Sequence, residues 1–161
     1  MIPPQGEARS NSSGIGVRGM ARSDVPAILS ILGESPEASV WPEDSLLESG
    51  SSGTAWVAEQ EGIVIGFLIG RAAADEFEIL NVAVARSHRR RGIATQLVEA
   101  ALEWSRRAGT QRAYLEVRAS NEAAIALYKR HGFSPCGRRS RYYQDPVEDA
   151  VILFWDRNPT L

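Results

Sequence analysis

The sequence predicts a single α+β domain in which helices flank a central mixed, mostly antiparallel sheet. Three strand-like runs follow one another with connections too short to hold crossover helices, which predicts an antiparallel meander. Strands and helices then alternate, and the first of these helices is long enough to join two parallel neighbours. A length of 161 residues suits one such domain.

The N-terminal part of the chain divides into a polar segment and the first folded elements. Residues 1–14 are rich in Pro, Ser and Gly and lack the apolar core of a signal peptide, so we predict a disordered leader before a domain over 15–161. A short strand is predicted over 15–20. A helix is predicted over 25–32, because apolar residues recur there at helical spacing and Pro26 suits its first turn.

The remaining elements follow from periodicity and turn residues. A short helix is expected within 41–47 and a loop over 49–53. Further strands are predicted over 54–59, 63–69, 76–84, 113–117 and 150–155, and further helices over 93–108 and 121–130. Strands 76–84 and 113–117 are expected to be adjacent and parallel, since the long helix connects them.

Composition restricts the class of function. A content of 43% hydrophobic and 24% charged residues is that of a globular protein. The net charge of −2 argues against a general nucleic-acid binder but leaves a local basic patch open. No apolar run reaches the roughly 20 residues that span a bilayer. The single cysteine, Cys136, excludes an internal disulfide framework and fits a cytoplasmic protein; we expect it to serve only in packing.

The run Arg89-Arg90-Arg91-Gly92-Ile93-Ala94 lies between a predicted strand and the long helix. The first backbone N–H groups of a helix lack intrahelical partners and carry partial positive charge, which favours anions. Gly92 allows close approach of a ligand and tolerates positive φ. The arginines alone would fit a solvated basic turn or a nucleic-acid patch. The glycine, the small residue and the placement together predict a pyrophosphate site that is neither a P-loop nor a dinucleotide fingerprint.

A second motif runs Leu115-Glu116-Val117-Arg118-Ala119-Ser120-Asn121, followed by a helix that ends in Leu127-Tyr128 and then by Gly132-Phe133. A charged Glu116 within an apolar strand needs a reason. A salt bridge to an arginine, an exposed strand face and a catalytic carboxylate all supply one. Tyr128 fits either an aromatic packed on the sheet or a proton donor, and Asn121 is suited to cap the helix.

Both motifs resemble those of the GNAT superfamily of acetyltransferases. The first is similar to its coenzyme A signature, Gln/Arg-x-x-Gly-x-Gly/Ala. The second resembles the RimI group, whose motif is Leu-Glu-Val-Arg-x-Ser-Asn. The likeness continues upstream in residues 78–84 and downstream in Arg141-Tyr142-Tyr143 and Glu148-Asp149-Ala150, so it covers about residues 15–155.

The resemblance implies acetyl-coenzyme A as co-substrate and a parallel strand pair that splays apart around it. The implied pantetheine contacts are Val82, Ala83 and Val84. The other implied cofactor contacts are Arg89, Arg90, Arg91, Gly92, Ile93, Ala94, Thr95 and Asn121. It implies no metal, and neither His88, expected to be exposed to solvent, nor His131 has metal-ligand spacing.

The resemblance also implies how the acetyl group is transferred. Glu116 would be the proton acceptor and Tyr128 the proton donor to the coenzyme A thiolate. A carboxylate is a weak base toward an ammonium group, so Glu116 is expected to act through water or in an environment that strengthens it. Backbone N–H groups near Val82 would stabilise the oxyanion. The residues expected at the acceptor site are Glu78, Asn81, Tyr142 and Tyr143, although the two tyrosines would also fit an edge strand.

The implied acceptor is a protein N-terminus, which in the RimI group is the N-terminal alanine of a small-subunit ribosomal protein. The alternative within the superfamily is a lysine side chain or a small-molecule amine. A module that binds coenzyme A without turnover is disfavoured because Glu116 and Tyr128 are both present. No direct binding of nucleic acid or membrane is expected.

Overall fold

The computed structural model describes residues 9–10, 14–35, 38 and 41–159. The strands are β1 Arg9–Ser10, β2 Ile15–Gly19, β3 Ala55–Gln60, β4 Ile63–Ala73, β5 Glu76–Val84, β6 Arg112–Arg118, β7 Ser134–Tyr143 and β8 Glu148–Asp156. The helices are α1 Val25–Gly33, α2 Glu43–Ser51, α3 Ile93–Arg107 and α4 Glu122–Arg130, with 3₁₀ turns at Arg22–Asp24 and Arg86–His88.

The eight strands form one mixed sheet in the order β1-β2-β3-β4-β5-β6-β8-β7. All neighbours are antiparallel except β5 and β6, which are parallel and joined by α3. The predicted fold class and the adjacent parallel pair are therefore confirmed. Within the part of the chain that the structure describes, no helix is long and apolar enough to cross a membrane.

Two apolar cores lie on opposite faces of the sheet. On one face, α3 inserts Leu97 and Leu102 against Phe77 and Leu115, and α4 adds Leu127. On the other face, α1 and α2 cover β3, β4 and β5 with side chains that include Ile28 and Leu46. Burial of apolar surface on both faces makes the central strands the rigid frame of the molecule.

The parallel strands separate part of the way along their length. Pairing runs from Glu76↔Arg112 to Ile79↔Leu115 and stops, although both strands continue. At this point the register of β5 against β4 shifts, which leaves Leu80 as an extra residue. A bulge bends its strand and ends regular pairing, so the bulge accounts for the split. The opening created between β5 and β6 positions the candidate site.

Several local predictions were wrong. The loop expected over 49–53 is partly helical, because α2 continues to Ser51, whose hydroxyl donates to the carbonyl of Leu47. No strand was predicted over 134–141; only Tyr142 and Tyr143, at the end of β7, were considered as residues of an edge strand. Strand β7 contains Pro135 and Gly137, lies at the sheet edge and is exposed over nearly its whole length, so it has no buried alternation to detect.

Two single residues also differ from expectation, and the leader is largely undescribed. Cys136 lies exposed on the edge strand β7 and not in packing. His88 is half-buried at the side of a cleft and not fully exposed to solvent. Of the predicted disordered leader, residues 1–8 and 11–13 lie outside the described residues, whereas Arg9–Ser10 pair with β2.

Candidate active site

A cleft of about 710 Å³ occupies the opening between β5 and β6, bounded by the start of α3 and by α4. It brings together most of the residues that the motifs single out. Those lining it are Asn81, Val82, Ala83, Val84, Arg89, Arg90, Gly92, Ile93, Ala94, Thr95, Glu116, Asn121, Tyr128 and Tyr143. Arg91, Glu78 and Tyr142 do not line it. Two distant segments of the sequence therefore meet at one cavity.

The turn before α3 has the backbone geometry of an anion site. Gly92 is the N-cap residue with φ 74°, and Arg90 also has a positive φ, 64°. Among the residues that the structure describes, no side chain caps the helix, so its first N–H groups are available to a ligand. Left-handed residues in such a turn make N–H groups converge on a concave surface that suits phosphate oxygens. Among the described residues, a Cβ on Gly92 would meet no atom within 4 Å, so the left-handed backbone and not crowding by the protein favours glycine here.

The side chain of Arg89 forms hydrogen bonds within the protein. Its Nε donates to the carbonyl of Val84 at 3.2 Å, and one Nη donates to the carbonyl of Glu34 and the hydroxyl of Ser35, each at 3.2 Å. These bonds fix the turn before α3 against the ends of β5 and α1. Arg90 and Arg91 are exposed and supply the positive charge around the turn.

The edge of β5 beyond Ile79 faces the cleft without a strand beside it. Its other edge remains paired with β4 through Gly66↔Val84. Peptide groups on the cleft side of residues 80–84 are therefore placed to bond an extended ligand as a neighbouring strand would. Coenzyme A has such an extended arm in its pantetheine, and the cleft ends at the anion-binding turn where its pyrophosphate would lie. The donor set therefore fits this group.

Glu116 lies where the cleft meets a second cavity of about 330 Å³ on the open face of the sheet. Alternation along β6 buries Leu115 and Val117 and leaves Glu116 half-buried. Its Oε1 accepts a hydrogen bond from Nε of Arg139 at 2.6 Å, with the two side chains 20% and 55% exposed. The salt bridge to an arginine, one of the three reasons expected for a charged residue in this strand, is therefore present. The carboxylate of Glu116 lies where the two cavities meet.

Tyr128 lies on α4 and is only 7% exposed. Its ring packs edge-on against Phe133 at 5.6 Å between centroids. Burial raises its pKa well above the ordinary value for tyrosine, and a smaller effect comes from Tyr143. The phenol therefore stays neutral in the physiological range. Among the described residues its hydroxyl has no hydrogen-bond partner, so it is free to donate to a ligand in the cleft.

Asn121 performs the capping role expected of it. Its Oδ1 accepts a hydrogen bond from the backbone N–H of Ala124 at 3.2 Å, which satisfies one free donor at the start of α4. Because Asn121 also lines the cleft, capping and ligand contact are compatible.

The two tyrosines of β7 occupy different positions. Tyr143 is half-buried and lines the cleft, and burial, followed by the charge of Glu116, raises its pKa to about 12. Tyr142 is half exposed, and a hydrogen bond with Glu116 is the main cause of its raised pKa. Both lie on the edge strand β7, as one of the two alternatives expected. Tyr143 also lines the larger cleft, whereas Tyr142 lines neither cavity.

The second cavity holds Glu78, which forms an ion pair with Arg71. Glu76 and Glu116 add two more carboxylates to its lining, against the guanidinium groups of Arg71 and Arg139. Asn81, also expected near the acceptor, is buried and lies in the larger cleft.

Arg71 and Arg139 were not predicted as site residues, and Arg118 was part of the second motif without an assigned role; all three line a cavity. The pairing of Arg139 with Glu116 crosses β8 and cannot be derived unless β7 is recognised as a strand. Among the described residues, no group of three or more His, Cys, Asp or Glu side chains could hold a metal ion.

Comparisons with known proteins agree with this geometry. The sequence model described as the acetyltransferase (GNAT) family matches residues 25–133. A Bacillus subtilis protein named putative [ribosomal protein bS18]-alanine N-acetyltransferase is 33% identical over 142 residues, which cover 86% of this chain and 93% of the relative. The Escherichia coli [ribosomal protein bS18]-alanine N-acetyltransferase is 38% identical over 96 residues, 58% of this chain and 65% of the relative.

Solved structures give the same result. The crystal structure of the ribosomal-protein-S18-alanine N-acetyltransferase from Escherichia coli superposes with a TM-score of 0.79 at 29% identity, covering 91% of this chain and 96% of that one. Ard1 from Thermoplasma volcanium gives a TM-score of 0.83 at 26% identity, covering 91% and 99%. The resemblance found in the two motifs is confirmed, and the chain is an acetyltransferase that belongs to the GNAT family.

Proposed function

We propose that this enzyme transfers the acetyl group of acetyl-coenzyme A to the N-terminal α-amine of a protein, with the N-terminal alanine of ribosomal protein bS18 as the first acceptor to test. The single observation that carries the proposal is the split between β5 and β6. It places an anion-binding turn, an unpaired strand edge, Glu116 and Tyr128 around one cleft. The names of the bS18-alanine N-acetyltransferase relatives support the choice of acceptor. A ribosomal acceptor would place the reaction in the cytoplasm.

The thioester would lie along β5, and acetyl-coenzyme A supplies the activated acetyl group. The turn at Arg90 to Thr95 holds the pyrophosphate through backbone N–H groups, with Arg90 and Arg91 adding positive charge. Val82, Ala83 and Val84 offer their peptide groups to the pantetheine arm. N–H groups near Val82 are also the nearest backbone donors for the oxyanion that forms when the amine attacks.

The acceptor would enter from the second cavity. An N-terminal ammonium is cationic before it reacts, and the carboxylates of Glu76, Glu78 and Glu116 line that entrance. In the transfer, a nitrogen–carbon bond forms, the carbon–sulfur bond breaks, and one proton passes overall from nitrogen to sulfur. Glu116, directly or through water, receives the proton from nitrogen.

Tyr128 would act on the departing sulfur. Its raised pKa keeps the phenol protonated, whereas a reference thiol has a pKa of only about 8.5. A full proton transfer from Tyr128 to the thiolate is therefore uphill. A hydrogen bond from the hydroxyl stabilises the developing negative charge on sulfur. The proton passes from Tyr128 to sulfur only as solvent reprotonates the phenol, so that no free tyrosinate forms, and solvent recovers the amine proton from Glu116.

An acceptor panel tests the proposal. The enzyme is incubated with acetyl-coenzyme A and three groups of acceptors: peptides that begin with the bS18 N-terminus, the same peptides with a blocked N-terminus and an internal lysine, and polyamines with aminoglycosides. Mass spectrometry should detect acetylation of the free α-amine in the first group. Acetylation confined to the lysine peptides or to the small amines would favour the alternative acceptors and overturn the proposal.

A further inference from the structure

The turn between β7 and β8 is fastened to the end of β6 by Arg118. One Nη of Arg118 donates to the carbonyl of Pro146 and the other to the carbonyl of Gln144, each at 3.2 Å. The guanidinium also lies 4.5 Å from the ring centroid of Tyr143, within the range of a cation–π contact. A single side chain thus holds two carbonyls and one aromatic ring of the same turn.

The next residues of the motif hold the same turn. The hydroxyl of Ser120 donates to the carboxylate of Glu148, with oxygen–oxygen distances of 2.6 and 2.7 Å, and the Ala119 N–H donates to the carbonyl of Asp149 at 3.0 Å. The Arg-Ala-Ser part of the motif is therefore an attachment point for the β7–β8 hairpin. The proposed chemistry, which uses Glu116, Asn121 and Tyr128, does not account for it.

The hairpin is irregular where its tyrosines lie. Arg139 pairs with Ala150, but the next pair is Tyr143 with Glu148, so β7 carries two extra residues. Arg141 adopts φ 53°, and its N–H donates to Asp149 at 2.9 Å. This hydrogen bond is the main cause of the lowered pKa of Asp149. The extra residues turn Tyr142 and Tyr143 so that their rings meet nearly perpendicular, 5.1 Å apart.

We infer that Arg118 is a positioning residue that holds the β7–β8 hairpin as the wall between the two cavities, so that Tyr142 and Tyr143 orient the acceptor beside Glu116. Tyr143 lines the larger cleft together with Arg118. The ring of Tyr142 lies 5.7 Å from the guanidinium of Arg139, which is paired with Glu116. The β7–β8 hairpin lies at the edge of the sheet. Its position depends on the hydrogen bonds from Arg118 and Ser120. The inference rests on the proposed function, because it assigns the wall to acceptor binding.

The test uses Arg118→Met, which keeps an unbranched apolar chain, and Arg118→Lys, which keeps the charge but not the two-carbonyl geometry. Arg107→Met serves as the control, since the one partner of the exposed Arg107 side chain among the described residues is Glu103, on the same helix α3. Loss of two charged hydrogen bonds is expected to raise the KM for an N-terminal peptide by about tenfold or more in Arg118→Met. Arg118→Lys should fall between this variant and wild type, and Arg107→Met should match wild type.

Two further readouts separate positioning from general damage. The affinity for acetyl-coenzyme A, measured by calorimetry, should stay within about threefold, because the anion-binding turn is independent of the hairpin. Amide hydrogen exchange of residues 142–147 should accelerate by about tenfold or more, while exchange in α3 stays unchanged. If Arg118→Met does not fold, the same calorimetry and hydrogen-exchange measurements are made on the milder variants Arg118→Lys and Ser120→Ala.

Unchanged exchange of residues 142–147 together with an unchanged KM for the peptide would overturn the inference. Equal losses of cofactor and peptide affinity would also overturn it, since they would show that Arg118 supports the whole cleft. If the wild-type enzyme acetylates no N-terminal peptide, the proposed function fails instead. The exchange measurement needs no turnover and would still decide whether Arg118 holds the hairpin.

Discussion

Replacing Tyr128 by phenylalanine should change the reaction rate strongly and the free energy of unfolding only slightly. The substitution keeps the ring that packs against Phe133 and removes only a hydroxyl with no hydrogen-bond partner among the described residues. The free energy of unfolding should therefore change by less than about 1 kcal/mol, since no intramolecular hydrogen bond is lost. Loss of general acid help typically slows a reaction by about 10² to 10⁴, which corresponds to about 3 to 5 kcal/mol of barrier.

The assay measures both quantities on the same samples. Single-turnover rates with an N-terminal peptide report the chemical step, and chemical denaturation reports stability. The deficit of Tyr128→Phe should also shrink with an acetyl donor whose thiol is more acidic, because such a leaving group needs less help. Affinity for acetyl-coenzyme A should be retained.

Phe133→Leu is the matched control, because it should lower stability and leave the rate nearly unchanged. Phe133 is buried and packs on the same ring, so the smaller side chain should cost about 1 to 2 kcal/mol of stability and little rate. If Tyr128→Phe stays folded and its chemical step remains within about twofold of wild type, Tyr128 is a packing residue and the role assigned to it is wrong.

Three further predictions follow from the same geometry. Glu116→Gln should slow the chemical step by about 10² or more, with a deficit that shrinks as pH rises because the free amine then forms without help; a deficit independent of pH would contradict the base role. Gly92→Trp should abolish measurable binding of acetyl-coenzyme A in calorimetry, whereas Gly92→Asn, which tolerates a left-handed backbone, should bind more weakly but detectably; normal affinity in Gly92→Trp would remove the anion site from that turn. The free energy of unfolding should fall as pH rises above about 10, because the pKa of Tyr128 is raised in the folded state and its stabilising effect is complete only below the unfolded value; Tyr128→Phe should show a shallower fall in alkaline denaturation, and equal slopes would contradict the burial argument.

The central elements of the fold could be predicted because their sequences carry periodicity. Strand β5 has the predicted bounds, and α3 and β6 agree within one residue at each end. Each of these elements has a buried face, so apolar residues recur in its sequence at the period of a strand or a helix. Strand β7 could not be predicted, since its side chains face solvent and its pairing with β8 depends on tertiary contacts.

The candidate site also has a part that the sequence predicts and a part that it does not. The turn around Gly92, Glu116 and Tyr128 belong to local motifs on predicted elements, and all three line one cleft. The contacts of Arg139 with Glu116 and of Arg118 with the β7–β8 hairpin join segments 23 to 28 residues apart. Sequence alone does not fix such pairings, because they depend on strand order and on the extra residues in β7.

The most direct measurement uses one peptide that carries a free N-terminal alanine and one internal lysine, with the acetylated position determined by fragmentation in a mass spectrometer. Reference pKa values of about 8 for the α-amine and about 10.4 for lysine give the α-amine a roughly 250-fold larger neutral fraction near pH 7. Enzymatic acetylation should fall on the α-amine by at least that ratio and should drop by about 10² or more in Glu116→Gln. Acetylation of the lysine at a rate equal to or above that of the α-amine would contradict the proposal that this acetyltransferase modifies protein N-termini.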